Sequence, residues 1–251
     1  GARANNAALI TRSSSSSSGG GDDTDYLAQF VGTWKSTTNY VYSTNTETDT
    51  DTLVINADGT FSMIVVCFKD YAGTANDRYE SDAYTGTVSA TADKVTYKYL
   101  KSYYSLTNMT SIPTNGGTED NSSGTSNYII KDGKLVYDFY TRQGSGTGII
   151  GTWQNGYSES KTEKGETIII DTANTMTVTD AKITIDEVDT SYYKDSPEDT
   201  DLEKYTDEYT YTVKDSATIT VTRSGETKSK DWPYEIAGDK LILTTGDYTK
   251  Q

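Results

Sequence analysis

The chain has 251 residues, a formal net charge of −15, no histidine and a single cysteine. Those counts exclude a Ser-His-Asp triad, a Cys-His pair and the usual zinc sites built from His and Cys within one chain. The acidic balance, −5 over residues 1–143 and −10 over 144–251, makes nucleic acid and anionic membranes poor partners, and no run approaches the roughly 18 apolar residues of a membrane helix.

Residues 1–25 read as a tail. Ser13 to Ser18, Gly19 to Gly21 and the acids Asp22 and Asp23 form a Ser/Gly-rich tether with little tendency to order. Ahead of it stands a short apolar patch, Ala7-Ala8-Leu9-Ile10-Thr11. Tyr26 to Phe30 suits one helical turn before Gly32. From there the pattern is mostly strand. Thr96 and Lys98 alternate with Val95, Tyr97 and Tyr99; Thr177 separates Met176 from Val178; Thr184 separates Ile183 from Ile185; Thr220 separates Ile219 from Val221. This period of two marks strands with one buried face, and Thr, Tyr, Val and Ile suit a pleated sheet.

Asp58-Gly59 and Asp132-Gly133 lie between apolar runs and signal hairpins, and Ala237-Gly238-Asp239-Lys240 signals a third. Two long loops are expected, 105–127 (rich in Ser, Thr, Asn and Gly) and 195–208 (rich in acid). Gly144 to Gly148 reads as a linker. Cys67, inside Ile64-Val65-Val66-Cys67-Phe68, reads as a small buried hydrophobe rather than a nucleophile.

The second half echoes the first. Gly32-Thr33-Trp34 recurs as Gly151-Thr152-Trp153. Leu53 to Met63 aligns with Ile168 to Val178, placing Thr60 on Thr175. Tyr84 to Val88 aligns with Tyr209 to Val213, and Asp132 to Val136 with Gly238 to Ile242. Tyr140-Thr141-Arg142-Gln143 recurs as Tyr248-Thr249-Lys250-Gln251. Self-similarity of this kind implies two units of roughly 110–120 residues, a size suited to separate domains. The expected layout is a tail over 1–25, a first unit over 26–143, a linker over 144–148 and a second unit over 149–251.

A helical turn, Gly32-Thr33-Trp34, then Asn56-Ala57-Asp58-Gly59-Thr60-Phe61 and Asp132-Gly133-Lys134-Leu135 resemble the compact bacterial lipocalin-like domains. The resemblance implies an all-β chain of two tandem antiparallel lipocalin-like β-barrels behind an N-terminal Ser/Gly-rich tether. It also implies that Trp34 and Trp153 close the barrels under basic residues, with Arg142 over Trp34 and Lys250 over Trp153 as structural closures. Closure of a meander into a barrel is also what removes its exposed edges.

The functional expectation is a non-catalytic, exported or cell-surface binding module, extracellular or in the cell envelope, holding a small apolar ligand in each barrel. Phe61, Met63, Val65, Tyr97 and Tyr99 are the ligand-facing candidates in the first unit. Met176, Val178, Ile219 and Val221 are those in the second. No catalytic residue, metal site or cofactor is expected. The acids Asp195, Glu198, Asp199, Asp201 and Glu203 lack the spacing of a calcium loop and read as a solvated acidic segment. The alternative is a structural subunit of an extracellular filament or surface layer. Its partner is another copy of the chain, reached when Ala8, Leu9 and Ile10 add a strand to a neighbour's sheet.

Overall fold

The structure, a computed structural model, describes residues 9–12, 26–41, 45–71, 77–131, 134–137 and 139–243. Among the described residues the chain is all-β, with 73% in strands and no α-helix. The strands form antiparallel sheet with a partial ring. The chain divides into two compact units that meet in sequence at residues 136 and 137.

The first unit begins with strand β1 (Leu9–Arg12), followed by a 3-10 turn (Ala28–Phe30). The meander comprises β2 (Gly32–Val41), β3 (Thr46–Ile55), β4 (Thr60–Asp70), β5 (Arg78–Ala90), β6 (Lys94–Ser105), the two-residue β7 (Thr118–Glu119), β8 (Ser123–Lys131) and β9 (Lys134–Tyr137). Antiparallel pairing runs from β9 to β1, β2, β3, β4, β5, β6 and β8. Chemistry at the β3–β4 turn explains its sharpness. Asp58 accepts from the Thr60 amide at 2.9 Å and the Thr60 hydroxyl at 2.7 Å, and the Val88 amide donates to the Gly59 carbonyl at 2.8 Å. The turn is thereby tied to β5.

The second unit contains β10 (Tyr140–Gln143), β11 (Gly151–Glu163), β12 (Glu166–Val178), β13 (Lys182–Tyr193), β14 (Ser196–Asp215), β15 (Thr218–Arg223), β16 (Ser229–Ala237) and β17 (Lys240–Leu243). Each of these strands pairs with the next, and β17 also pairs with β10 through Tyr140↔Leu241 and Thr141↔Lys240. Its core gathers Ile149, Trp153, Met176, Val178, Ile183, Ile219, Val221, Trp232, Leu241 and Leu243.

Several sequence expectations change here. Residues 195–208 are not a loop: Ser196–Asp215 is the longest strand, 20 residues. Its acids alternate with Thr200, Leu202, Lys204 and Thr206, and that period of two carries the strand despite the charge. Residues 140–143, read as the end of the first unit, are a strand of the second. Leu9–Arg12, read as part of a tail, is a strand of the first. The expected alignment of 53–63 with 168–178 also shifts. Gly32 lies opposite Ile55 and Gly151 opposite Val178, so Ile55 matches Val178 and Phe61 matches Ile183. Asn174, expected at a turn, is buried in the middle of β12. The hairpin between β11 and β12 instead turns on Lys164 and Gly165, at φ 53° and 87°, the paired positive values of a tight two-residue connection. The turn expected at Asp132-Gly133 lies outside the described residues.

Candidate functional site

Both expected tryptophans anchor a unit. Trp34 and Trp153 are each fully buried. Their indole nitrogens donate to carbonyls four residues back, Trp34 to Phe30 at 2.6 Å and Trp153 to Ile149 at 2.7 Å. An indole N–H buried without a partner costs about 1–3 kcal/mol, so the short approach segment before each first strand satisfies the ring that the core needs.

The basic partner differs from expectation. Arg142 lies over Trp153, its guanidinium carbon 4.0 Å from the ring centroid, rather than over Trp34. The reason is that β10 pairs forward, with Arg142 opposite Trp153. The guanidinium also donates to the carbonyls of Ile150, at 2.9 Å, and Gly148. Room for it depends on Gly151, at φ 139°, where a Cβ would stand 2.8 Å from the Arg142 Nη1. Lys250 lies outside the described residues. In the first unit the position opposite Trp34 belongs to Arg12, a residue the sequence reading passed over because it precedes the Ser/Gly-rich stretch.

The candidate ligand-facing residues mostly pack against one another. Phe61 is buried, with its ring edge-on to Tyr97 at 5.1 Å and Tyr99 at 5.6 Å. Opposite it stands Gly86, where a Cβ would lie 2.0 Å from the Lys98 carbonyl oxygen and 2.8 Å from the Phe61 ring. Met176, Val178, Ile219 and Val221 are all buried in the core around Trp153. Met63 and Val65 are half-buried.

Past Met63 the same face of the first unit turns polar. Register places Ser36, Asp51, Val65 and Asp82 across four neighbouring strands, followed by Thr38, Asp49, Cys67 and Glu80. Ser36 donates to Asp51 at 3.0 Å. Burial holds the carboxyls of Asp49, Asp51 and Asp82 above the usual carboxylate range, opposed at Asp51 by the Ser36 bond. Asp49 Oδ1 is buried with no hydrogen-bond partner among the described residues. Glu47, Asp49 and Cys67 bring one potential ligand atom each within 4.8 Å of one another, and Lys69 pairs with Glu80 at 2.8 Å. Cys67 is therefore half-buried beside carboxylates rather than sealed among apolar neighbours. Burial, then Glu47 and Asp49, push its thiol far above the normal range, which denies it the thiolate a nucleophile needs. The signal in the sequence was the alternation Glu47, Asp49, Asp51, which places all three on the face of Leu53 and Ile55.

The corresponding face of the second unit carries Asn155, Asn174, Glu187 and Tyr205 opposite one another, then Tyr157, Thr172, Asp189 and Glu203. Thr172 donates to Asp189 at 2.6 Å, and Asn155 Oδ1 is buried without a partner among the described residues. Burial, with Asp189 and Asp207, raises the Glu187 carboxyl. Of the acids considered for calcium, Asp199, Asp201 and Glu203 are exposed along β14.

The expected assembly residues lie at a different feature. Leu9 and Ile10 belong to β1, which sits between β9 and β2: Ile10 is opposite Leu135, Thr11 opposite both Lys134 and Lys35, and Arg12 opposite Trp34. In the second unit β10 sits between β17 and β11 in the same way. Tyr140 is opposite Leu241, Thr141 opposite both Lys240 and Gln154, and Arg142 opposite Trp153. Ala8 lies outside the described residues. No family model, curated protein or solved structure matches the chain. Among the described residues, no helix is long and apolar enough to cross a membrane.

Proposed function

We propose that the chain is a non-catalytic, exported structural subunit of an extracellular or cell-surface assembly. In this reading it consists of two lipocalin-like barrels in tandem, each completed by a short strand lying ahead of its own meander. Neighbouring copies join when the first of these strands, carrying Leu9 and Ile10, is exchanged between them. The observation that carries the reading is the matched register of β1 and β10. Each inserts between the first and last strands of its unit, and each puts an arginine opposite the anchoring tryptophan. Strand insertion gains main-chain hydrogen bonds on both sides and takes its specificity from alternate side chains. A Ser/Gly-rich connection lets the same strand fill its own slot or a neighbour's at low cost.

The test compares the full chain with one lacking residues 1–12, by solution mass and electron microscopy. Ordered multimers from the full chain and their loss on truncation support the proposal. A full chain that stays at 27.5 kDa at all concentrations overturns it.

A binding module remains the second reading, favoured by the unpartnered Asp49 Oδ1 and Asn155 Oδ1. It calls for a small guest carrying a hydrogen-bond donor rather than the purely apolar guest first expected, because the apolar candidates close around one another.

A further inference from the structure

Strand β14 outruns one of its two neighbours. On one side β13 pairs along it from Ser196 to Thr210. On the other, β15 pairs only from Tyr209 to Asp215, and the Ser224 amide ends that ladder on the Glu208 carbonyl at 2.7 Å. There the chain turns away: the Glu226 amide donates to the Arg223 carbonyl at 3.0 Å, and Gly225 takes φ 83°. Among the described residues no strand lies beside Ser196 to Asp207 on that side. Successive residues of a strand direct their main-chain groups to opposite sides. Glu208 directs its carbonyl outward, so the amides and carbonyls of Thr206, Lys204 and Leu202 lie on the open edge. The Leu202 amide agrees with this parity: it donates to the neighbouring Asp201 carboxylate at 3.0 Å rather than to a strand. Residues 197–206 are all exposed, and a hollow of about 490 Å³ between Thr206–Glu208 and Arg223–Glu226 marks where the edge opens.

An open edge is a template for another strand, and its side chains specify which one. Asp201, Glu203, Tyr205 and Asp207 share one face of β14, and Glu187 and Asp189 stand behind them on β13, opposite Tyr205 and Glu203. Arg223, the last residue of β15, already donates to Asp207, so the strand alongside β14 carries a cation where it meets this face. A second copy of β14 laid on the edge would set acid against acid, which disfavours self-pairing. On the other face Leu202 is 52% exposed and offers an apolar contact. We infer that the outer edge of β14 is a docking site for an extended basic segment of another protein. The segment adds a strand in line with β15 and antiparallel to β14, with Lys or Arg at alternate positions opposite Asp201, Glu203 and Tyr205. Main-chain bonds to Leu202, Lys204 and Thr206 supply affinity, and the carboxylates select the partner. The site stands apart from the exchange of β1, which belongs to the other unit.

Fluorescence anisotropy tests the site on the full chain with labelled peptides. One alternates lysine with threonine, one gathers the same lysines in a single block, and one carries glutamate for lysine. The alternating peptide is expected to bind about tenfold tighter than the blocked one, and the acidic peptide not at all. Asp201→Asn with Glu203→Gln should weaken the alternating peptide about tenfold. Lys204→Pro removes one outward amide while making the strand more acidic, a change an edge tolerates. Loss of binding in that variant at an unchanged melting temperature supports strand addition. Binding that holds or strengthens means charge attraction alone and overturns the site, as do equal affinities for the alternating and blocked peptides or no binding of either. Should the proline variant melt early, hydrogen exchange of the wild type decides: the Lys204 and Thr206 amides must gain protection when the alternating peptide is added. Protection of those amides before any peptide is added would show the edge covered by the chain itself, and multimers that fall to monomers with Lys204→Pro would show that it joins copies. Either result overturns the basic partner.

Discussion

The two units bury their tryptophans alike and distribute volume differently beside them. In the first, Phe61 stands over Gly86; in the second the matching pair is Ile183 and Tyr209, with the Tyr209 ring 4.8 Å from that of Trp232. Bulk has moved from one strand to its neighbour, as close packing demands when a core must be filled once and only once. The polar ends differ in chemistry. Around Ser36 the first unit sets carboxylates, a thiol and a lysine. The second sets Asn155, Asn174, Glu187 and Tyr205 at the level of Ser36 and Tyr157, Thr172, Asp189 and Glu203 at the next, with carboxylates and asparagines but neither thiol nor lysine in those two rows. The buried tryptophan with its bonded indole is thus the shared device, and the polar end is where the units diverge.

The largest expected effect tests the shared device. Trp34→Ala and Trp153→Ala should each cost about 3–5 kcal/mol, since each empties the centre of a core. Denaturant unfolding followed by hydrogen exchange should show the loss in the unit that carries the change. A uniform loss across both units would mean that they do not unfold as separate bodies.

Next in size is the exchanged volume. Gly86→Ala should destabilise the first unit by about 1–3 kcal/mol or more, because its Cβ would meet the Lys98 carbonyl at 2.0 Å. Adding Phe61→Ile should not rescue it, since the obstacle is backbone. Rescue, read as a restored melting temperature, would show that the ring alone excludes a side chain there.

Arg142→Ala should cost about 1–2 kcal/mol from the lost stacking and carbonyl bonds. Arg142→Lys should fall between, as lysine keeps the cation but not the planar fork. Thermal melts of the three chains rank them. Equal melts would remove Arg142 from the closure.

The smallest effect separates the polar ends. A carboxyl held above its usual range binds a proton more readily folded than unfolded. Its stabilising share is fully present below the unfolded value of 3.8 for Asp and is lost as pH rises through the folded value. Asp49, Asp51 and Asp82 are of this kind, and so is Glu187. Glu80, held low by Lys69, contributes in the opposite sense and loses its share as pH falls. The melting temperature of the first unit should therefore rise as pH is lowered from 7 toward about 4. Asp51→Asn should raise it at pH 7 and flatten the slope. An unchanged slope would assign the dependence to other groups.

Much of this was legible in the residues. Alternation at Lys94–Leu100 and at Ile219 and Val221, and the Asp58-Gly59 turn, are local signals, and they lie where expected. The long strand over 196–215 was missed because acid content was weighed above alternation. The polar end was missed because Cys67 was judged by its chain neighbours, all apolar, while its cross-strand neighbours are Asp49 and Glu80.

By itself, the sequence determined the all-β class, the turns at Asp58-Gly59 and Gly238-Asp239, and the two tryptophans that the cores enclose. Those properties depend on side-chain period and on backbone preference within a few residues. Only the tertiary structure decided that β1 and β10 complete the units that follow them, that Arg142 covers Trp153 and not Trp34, and that a thiol faces two acids. Each of these turns on which strand lies beside which, and on register between residues far apart in the chain. A shift of one residue there reverses every face, and no local pattern records it.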